Sequence, residues 1–245
     1  MPPSSTEAGT RLLRIPGLAA EAGLVHGFST LELGSMRLPA PGADPLTPER
    51  LAFAAALGLD GARLTVAGAV HGVEVARVDA PAGAVRARDV LVTDRPCLPL
   101  LATFADCYPV VLYDPDRPAL ALVHAGWRGT AAGVAARAVE ALAAEYGSRP
   151  ARLVAGVGPG ICGACYEVGE EVAERFDAAF LRPSPGAPDR RLLDLAAANR
   201  AQLELAGVPA GRIHLHGECT RESGRLPSHR RSPDGTRFAC IAALT

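Results

Sequence analysis

Hydrophobic residues recur along this chain in short runs closed by glycine, proline or a polar residue, and more of the runs have strand length than helix length. Residues 11–29 read as strand, turn and strand. The stretch 31–48 is rich in Gly and Pro without periodicity and reads as a long loop. Thr47-Pro48-Glu49-Arg50 then opens a helix, with Thr47 as cap and Pro48 at the first helical position, and Gly58 ends it. Strands 64–70 and 73–78 flank His71-Gly72, and 90–93 and 98–104 follow. Strands 110–113 and 120–123 bracket the turn Asp114-Pro115-Asp116-Arg117-Pro118. The spacing of Val134, Ala138 and Leu142 predicts a helix over 130–146 that stops at Gly147. A strand at 153–157 runs into Gly158-Pro159-Gly160. Helices over 167–180 and 193–206 follow, separated by a Pro- and Gly-containing loop at 182–190. A strand at 213–216, a polar loop at 221–235 and an apolar strand at 238–244 complete the pattern. Strands and helices mix without strict alternation. The expected fold is therefore α+β, a single layered domain over residues 11–245 with a mixed sheet core and flanking helices, preceded by a frayed segment at 1–10.

Composition narrows the chemistry. Hydrophobic residues make up 49%, charged residues 21%, and the net charge is -1, the profile of a soluble globular protein with no nucleic-acid surface. All 25 basic residues are arginine, so Schiff-base and lysine-nucleophile mechanisms are excluded. No leader-like start and no 18-residue uncharged apolar window is seen, so a cytoplasmic protein without a membrane anchor is expected. In that reducing compartment, Cys97, Cys107, Cys162, Cys165, Cys219 and Cys240 read as core thiols or ligands.

Three residues of metal-ligand type sit at predicted strand ends: His71, Cys107 and His124. Two imidazoles and one thiolate with a fourth position open make the donor set of a catalytic zinc site, although their spacing matches no short zinc motif. Asp106 beside Cys107 is a candidate general base or an orienting carboxylate, and equally a turn residue. The segment Gly126-Trp127-Arg128-Gly129-Thr130 leads into the predicted long helix. Its backbone N-H groups and Arg128 suit an anion such as phosphate, and an ordinary capped connection is the alternative. Cys162-Gly-Ala-Cys165 has redox or half-knuckle spacing, but no second such pair exists, so these thiols are read as structural or site-lining.

V-H-G at 70–72, A-D-C-Y-P-V at 105–110, H-A-G-W-R-G-T at 124–130, G-P-G-I-C at 158–162, Y-E-V-G at 166–169, C-T at 219–220 and S-H-R-R at 228–231 occur in order. Together they resemble the purine nucleoside phosphorylase family historically labelled polyphenol oxidase or laccase domain, also called peptidoglycan editing factor. The resemblance implies a cytoplasmic zinc enzyme of layered α+β fold, with His71, Cys107 and His124 matching the three metal ligands. It also implies phosphorolysis of adenosine, inosine, guanosine or methylthioadenosine, and deamination of adenosine. The partners are then small purine nucleosides and phosphate, with no nucleic acid and no membrane. Asp106 and Arg128 are the expected catalytic residues. Gly126, Trp127, Gly129, Thr130, Cys162, His229 and Arg230 are the expected substrate-facing ones. The N-terminal third departs from the pattern: Thr30 is followed by Leu31-Glu32-Leu33-Gly34-Ser35 where an arginine and two glycines are usual, and Ala69 replaces a glutamine. If the missing arginine holds phosphate or ribose, the alternatives are weak activity, an altered substrate, or substitution by Arg37.

Other readings stay open from the residues themselves. A copper-dependent phenol oxidase is one, since some members carry that label, but the six histidines (His26, His71, His124, His214, His216 and His229) are too few for the clusters that gather four coppers. His214-x-His216 could form a second metal patch or lie on one solvent face. A catalytically weakened metal-binding protein that acts through a partner, and a cysteine hydrolase built on Cys107 with His71 or His124 as base, are the others.

Overall fold

Strands buried at every position need cover on both faces, and this requirement organises the molecule. The structure, a computed structural model, describes residues 11–38, 40 and 42–245. The residues proposed as a frayed end, 1–10, lie outside them. In the strands Tyr108–Asp114 and Ala119–Ala125 every residue is buried. Val110, Leu112, Ala121 and Val123 pack with Val134, Ala138 and Leu142 of a helix, while Val111, Tyr113, Leu120 and Leu122 pack against Leu100, Phe104 and Phe238 of a second sheet. Alternation along a single strand thus feeds two cores.

Each main sheet has six strands. One runs Leu12–Leu13, Leu24–Ser29, Phe238–Leu244, Leu100–Phe104, Thr65–Gly68, Gly83–Arg86, antiparallel as far as Leu100–Phe104 and parallel beyond it. The other runs Ile213–Leu215, Val154–Val157, Tyr108–Asp114, Ala119–Ala125, Val90–Thr93, Val75–Arg77, with parallel pairs at both ends. They stack face to face. The helix Pro48–Ala56 covers the first sheet through Phe53 and Ala54, and the helices Val134–Tyr146 and Leu195–Leu205 cover the second. Mixed sheets flanked by helices form the layered α+β arrangement that the pattern implied.

Several elements differ from the sequence expectation. The helix expected over 130–146 is two helices: a five-residue turn, Trp127–Ala131, and then Val134–Tyr146, parted by Gly133 in the left-handed region with φ 85°. The helix expected over 167–180 is absent. Glu167–Val168 is a strand and only Glu170–Ala173 is α-helical. The expected loop 182–190 is instead a hairpin, Leu181–Ser184 paired with Ala187–Leu193, which with Glu167–Val168 forms a third, antiparallel sheet. Pro183 is tolerated because its strand lies at the sheet edge. Gly83–Arg86, a strand that the pattern did not suggest, pairs in parallel with Thr65–Gly68.

Candidate metal centre and its cavity

Asp89 is the residue around which the site is arranged. Its carboxylate has no exposed surface and accepts the backbone N-H groups of Val70 (3.1 Å), His71 (2.9 Å) and Gly72 (2.8 Å). These bonds hold the turn after Thr65–Gly68 in a shape that puts His71 at φ 65°, left-handed and unfavourable for a side-chain-bearing residue. Asp89 Oδ1 also meets His124 Nδ1 at 2.9 Å, leaving Nε2 as that ring's open nitrogen. The ladder sets the third member. Tyr108 pairs with Ala125, so Cys107 emerges just beyond the pair, beside Gly126. The ligand atoms of His71, Cys107 and His124 all lie within 4.8 Å of one another.

Gly126 is required by this crowding. A Cβ there would stand 2.7 Å from His71 Cδ2 and 3.0 Å from Cys107 Sγ, and one at Gly129 would stand 2.8 Å from the Gly72 carbonyl. The G-W-R-G turn therefore closes over the cluster because it has no side chains where it passes. Burial alone would push the Cys107 thiol up, but His124 and His71 beside it prevail and bring it down to about 6. Burial alone would lower His124, yet the Cys107 sulfur and Asp89 raise it to about 9. Asp89 is itself held below the usual carboxylate range: burial opposes this, and His124 and the turn's N-H groups outweigh it. Two imidazoles and a readily ionised thiol, one ring fixed by a buried carboxylate, fit a transition metal of zinc type.

The cluster opens on a cavity of about 650 Å³. Arg37, Arg50, Arg128, Arg230, Arg237 and His229 reach its wall. Arg128 stacks on Trp127 with its guanidinium carbon 4.3 Å from the ring centre. Arg230 lies 5.2 Å from the Tyr166 ring centre and donates to the Glu167 carbonyl at 2.7 Å. Arg50 is 1% exposed, donates to the carbonyls of Met36 and Pro45, and has no carboxylate at ion-pair distance among the described residues. Burial lowers it to about 10, so it stays a cation at neutral pH. Two aromatic faces within an arginine-rich wall make a cavity suited to a flat ring carrying or accompanied by an anion.

Among the residues singled out by sequence, Asp106, Trp127, Arg128, His229 and Arg230 line this cavity, as does Arg37. Asp106 has φ 81° and both carboxylate oxygens engaged, Oδ1 by the Thr220 hydroxyl at 2.7 Å and Oδ2 by the Arg230 backbone N-H at 2.7 Å. Thr130 points away from the cavity to Asn199. Cys162 groups with Cys165, Cys219 and Glu222 and is not part of the cavity wall. His214 lies against Gly17 and His216 against Phe28, and neither belongs to a metal-type cluster among the described residues. Sequence reasoning missed Asp89, Arg50, Tyr166 and Arg237. Arg50 did leave a signal: with Phe53, Ala54 and Leu57 it falls at helical spacing on the apolar face. Asp89 left none.

The family described as multi-copper polyphenol oxidoreductase laccase matches residues 40–244. This chain belongs to that family. Among its relatives, the purine nucleoside phosphorylase of Deinococcus radiodurans is 42% identical over 231 residues, which are 89% of this chain and 87% of that protein. Adenosine deaminase RL5, from an unknown prokaryotic organism, is 36% identical over 189 residues, 70% and 71% of the two chains. The crystal structure of YlmD from Geobacillus stearothermophilus superposes on this laccase-family chain with a TM-score of 0.85 at 29% identity, over 98% of both chains.

Proposed function

We propose that the chain is a zinc-dependent purine nucleoside phosphorylase acting on adenosine, inosine, guanosine and methylthioadenosine, with adenosine deaminase activity. The observation that carries this reading is the His71, Cys107, His124 cluster opening on an arginine-lined cavity with two aromatic faces. Zinc held by these three residues would supply a Lewis acid beside the substrate. Trp127 and Tyr166 would stack on the purine, and Arg128, Arg230 and Arg37 would neutralise phosphate and orient it toward the ribose C1′. The buried Arg50 cation adds positive potential on the same wall. Each Asp106 oxygen keeps a lone pair beyond its present hydrogen bond, so Asp106 can hold and pass a proton at the cavity edge. The copper-oxidase reading lacks comparable support. His71 and His124 are the only histidines in either ligand cluster among the described residues.

The test is incubation of purified protein with adenosine, with and without phosphate. Adenine plus ribose 1-phosphate is expected only when phosphate is present, and inosine in either case. No conversion at high enzyme concentration overturns the reading. Cys107→Ala is expected to remove one equivalent of zinc together with activity. Full activity in chelator from metal-free protein would instead favour Cys107 as a nucleophile.

A further inference from the structure

Cys162-x-x-Cys165 has a counterpart that linear spacing conceals, Cys219-x-x-Glu222. Three sulfurs and one carboxylate from these two turns all lie within 4.8 Å of one another. Both turns are closed by backbone bonds, Cys165 N-H to the Cys162 carbonyl at 2.9 Å and Ser223 N-H to the Cys219 carbonyl at 2.9 Å. They are joined by Cys162 N-H to Cys219 Sγ at 3.3 Å, by Thr220 N-H to the Gly160 carbonyl at 3.0 Å, and by pairing of Gly160 with Cys219. All six cysteines are free thiols.

We propose that Cys162, Cys165, Cys219 and Glu222 form a second, structural zinc site. Tetrahedral zinc with bonds of about 2.3 Å to sulfur places its ligand atoms roughly 3.8 Å apart, which the cluster admits with small adjustment. A disulfide would use two sulfurs and leave the third thiol and the carboxylate without a purpose, whereas one ion employs all four. Thiolate-rich donors select zinc over the harder divalent cations. Each thiol that binds releases its proton to solvent, and the resulting negative site lies beside Arg221, which donates to the Cys165 carbonyl, and Arg231, which donates to the carbonyls of Thr220, Arg221 and Ser223. The buried apolar cluster here is Ile161, Cys165 and Cys219, with only Cys162 and Tyr166 packed against it, small for holding two loops by hydrophobic burial. The ion would staple 160–166 to 217–223 directly behind the cavity. Ile161 N-H bonds the Asp106 carbonyl, Thr220 bonds its carboxylate, and Tyr166 follows Cys165.

Metal analysis and thiol mapping test this on the full chain, independently of any purine chemistry. Protein purified in zinc without chelator is expected to hold two equivalents, Cys107→Ser one, and Cys162→Ser/Cys219→Ser one. Because the double variant could fail to fold, wild-type protein is also treated with N-ethylmaleimide before and after stepwise zinc removal. Cys162, Cys165 and Cys219 are expected to be protected together and to become reactive together as one equivalent leaves, while exposed Cys97 reacts throughout. The proposal is overturned by one equivalent in wild type that is lost entirely in Cys107→Ser, by labelling of the three thiols that is insensitive to zinc, or by a disulfide between two of them in protein kept under reducing conditions.

Discussion

A carboxylate without exposed surface remains an anion only where donors replace water, and Asp89 receives three turn N-H groups and a histidine ring. One side chain thereby shapes the backbone that carries His71 and selects the nitrogen that His124 presents. Asp89→Asn retains volume but offers an amide to N-H groups that need an acceptor. Zinc affinity at the cluster is expected to fall by roughly 10- to 100-fold, read by competition with a chromophoric chelator, and unchanged affinity would sink the assigned role. Gly126→Ala tests the close approach: a methyl 2.7 Å from His71 and 3.0 Å from Cys107 should abolish zinc binding there while far-UV dichroism is retained. The three clustered side chains were legible as candidate ligands because each follows or ends an apolar run. Asp89 was not, since its importance lies in hydrogen bonds to residues 17 to 35 positions away.

Elements covered on both faces announced themselves as continuous apolar runs, and those expectations match the structure. The region 167–180 misled because Glu, Val and Ala at helical spacing favour a helix only where nothing competes. Here Glu167–Val168 is recruited into pairing with Ala187–Leu193, a non-local contact that local propensity does not encode. The long helix was legible in type but not in its start, because Gly133 breaks it to bring Trp127–Ala131 over the site. Two leucines separate packing from propensity. Leu142 is fully buried between Val134–Tyr146 and the sheet, and Leu142→Ala should cost about 2–5 kcal/mol in urea unfolding. Leu205 is 89% exposed at the end of its helix, and Leu205→Ala should change stability by less than about 0.5 kcal/mol.

For the molecule as a whole, stability should carry a histidine-dependent acid limit. His26 is buried in Leu24–Ser29, where its Nε2 accepts the Ile15 N-H at 3.0 Å, and burial, with Arg14 and His216 nearby, lowers it from 6.5 to about 4. The folded state thus favours the neutral ring. Its contribution is complete above pH 6.5 and is lost as pH falls from 6.5 toward 4, amounting to about 2 kcal/mol by pH 5. Urea unfolding at pH 7.5 and pH 5 should show a difference that shrinks by that amount in His26→Gln, and an equal difference in both proteins would refute the assignment. The first sheet adds a constraint in time. Phe238–Leu244 lies between Leu24–Ser29 and Leu100–Phe104 and pairs with both. On the ribosome, two apolar strands must therefore wait for a third that is translated far later. At roughly 5–20 residues per second the interval from Phe104 to Leu244 lasts on the order of ten seconds, during which unpaired strand edges are open to misassociation. A nascent chain of this topology is therefore expected to need those edges shielded until Phe238–Leu244 emerges, and Phe104, beneath His124 of the candidate metal cluster, gains its neighbouring strand only after that wait.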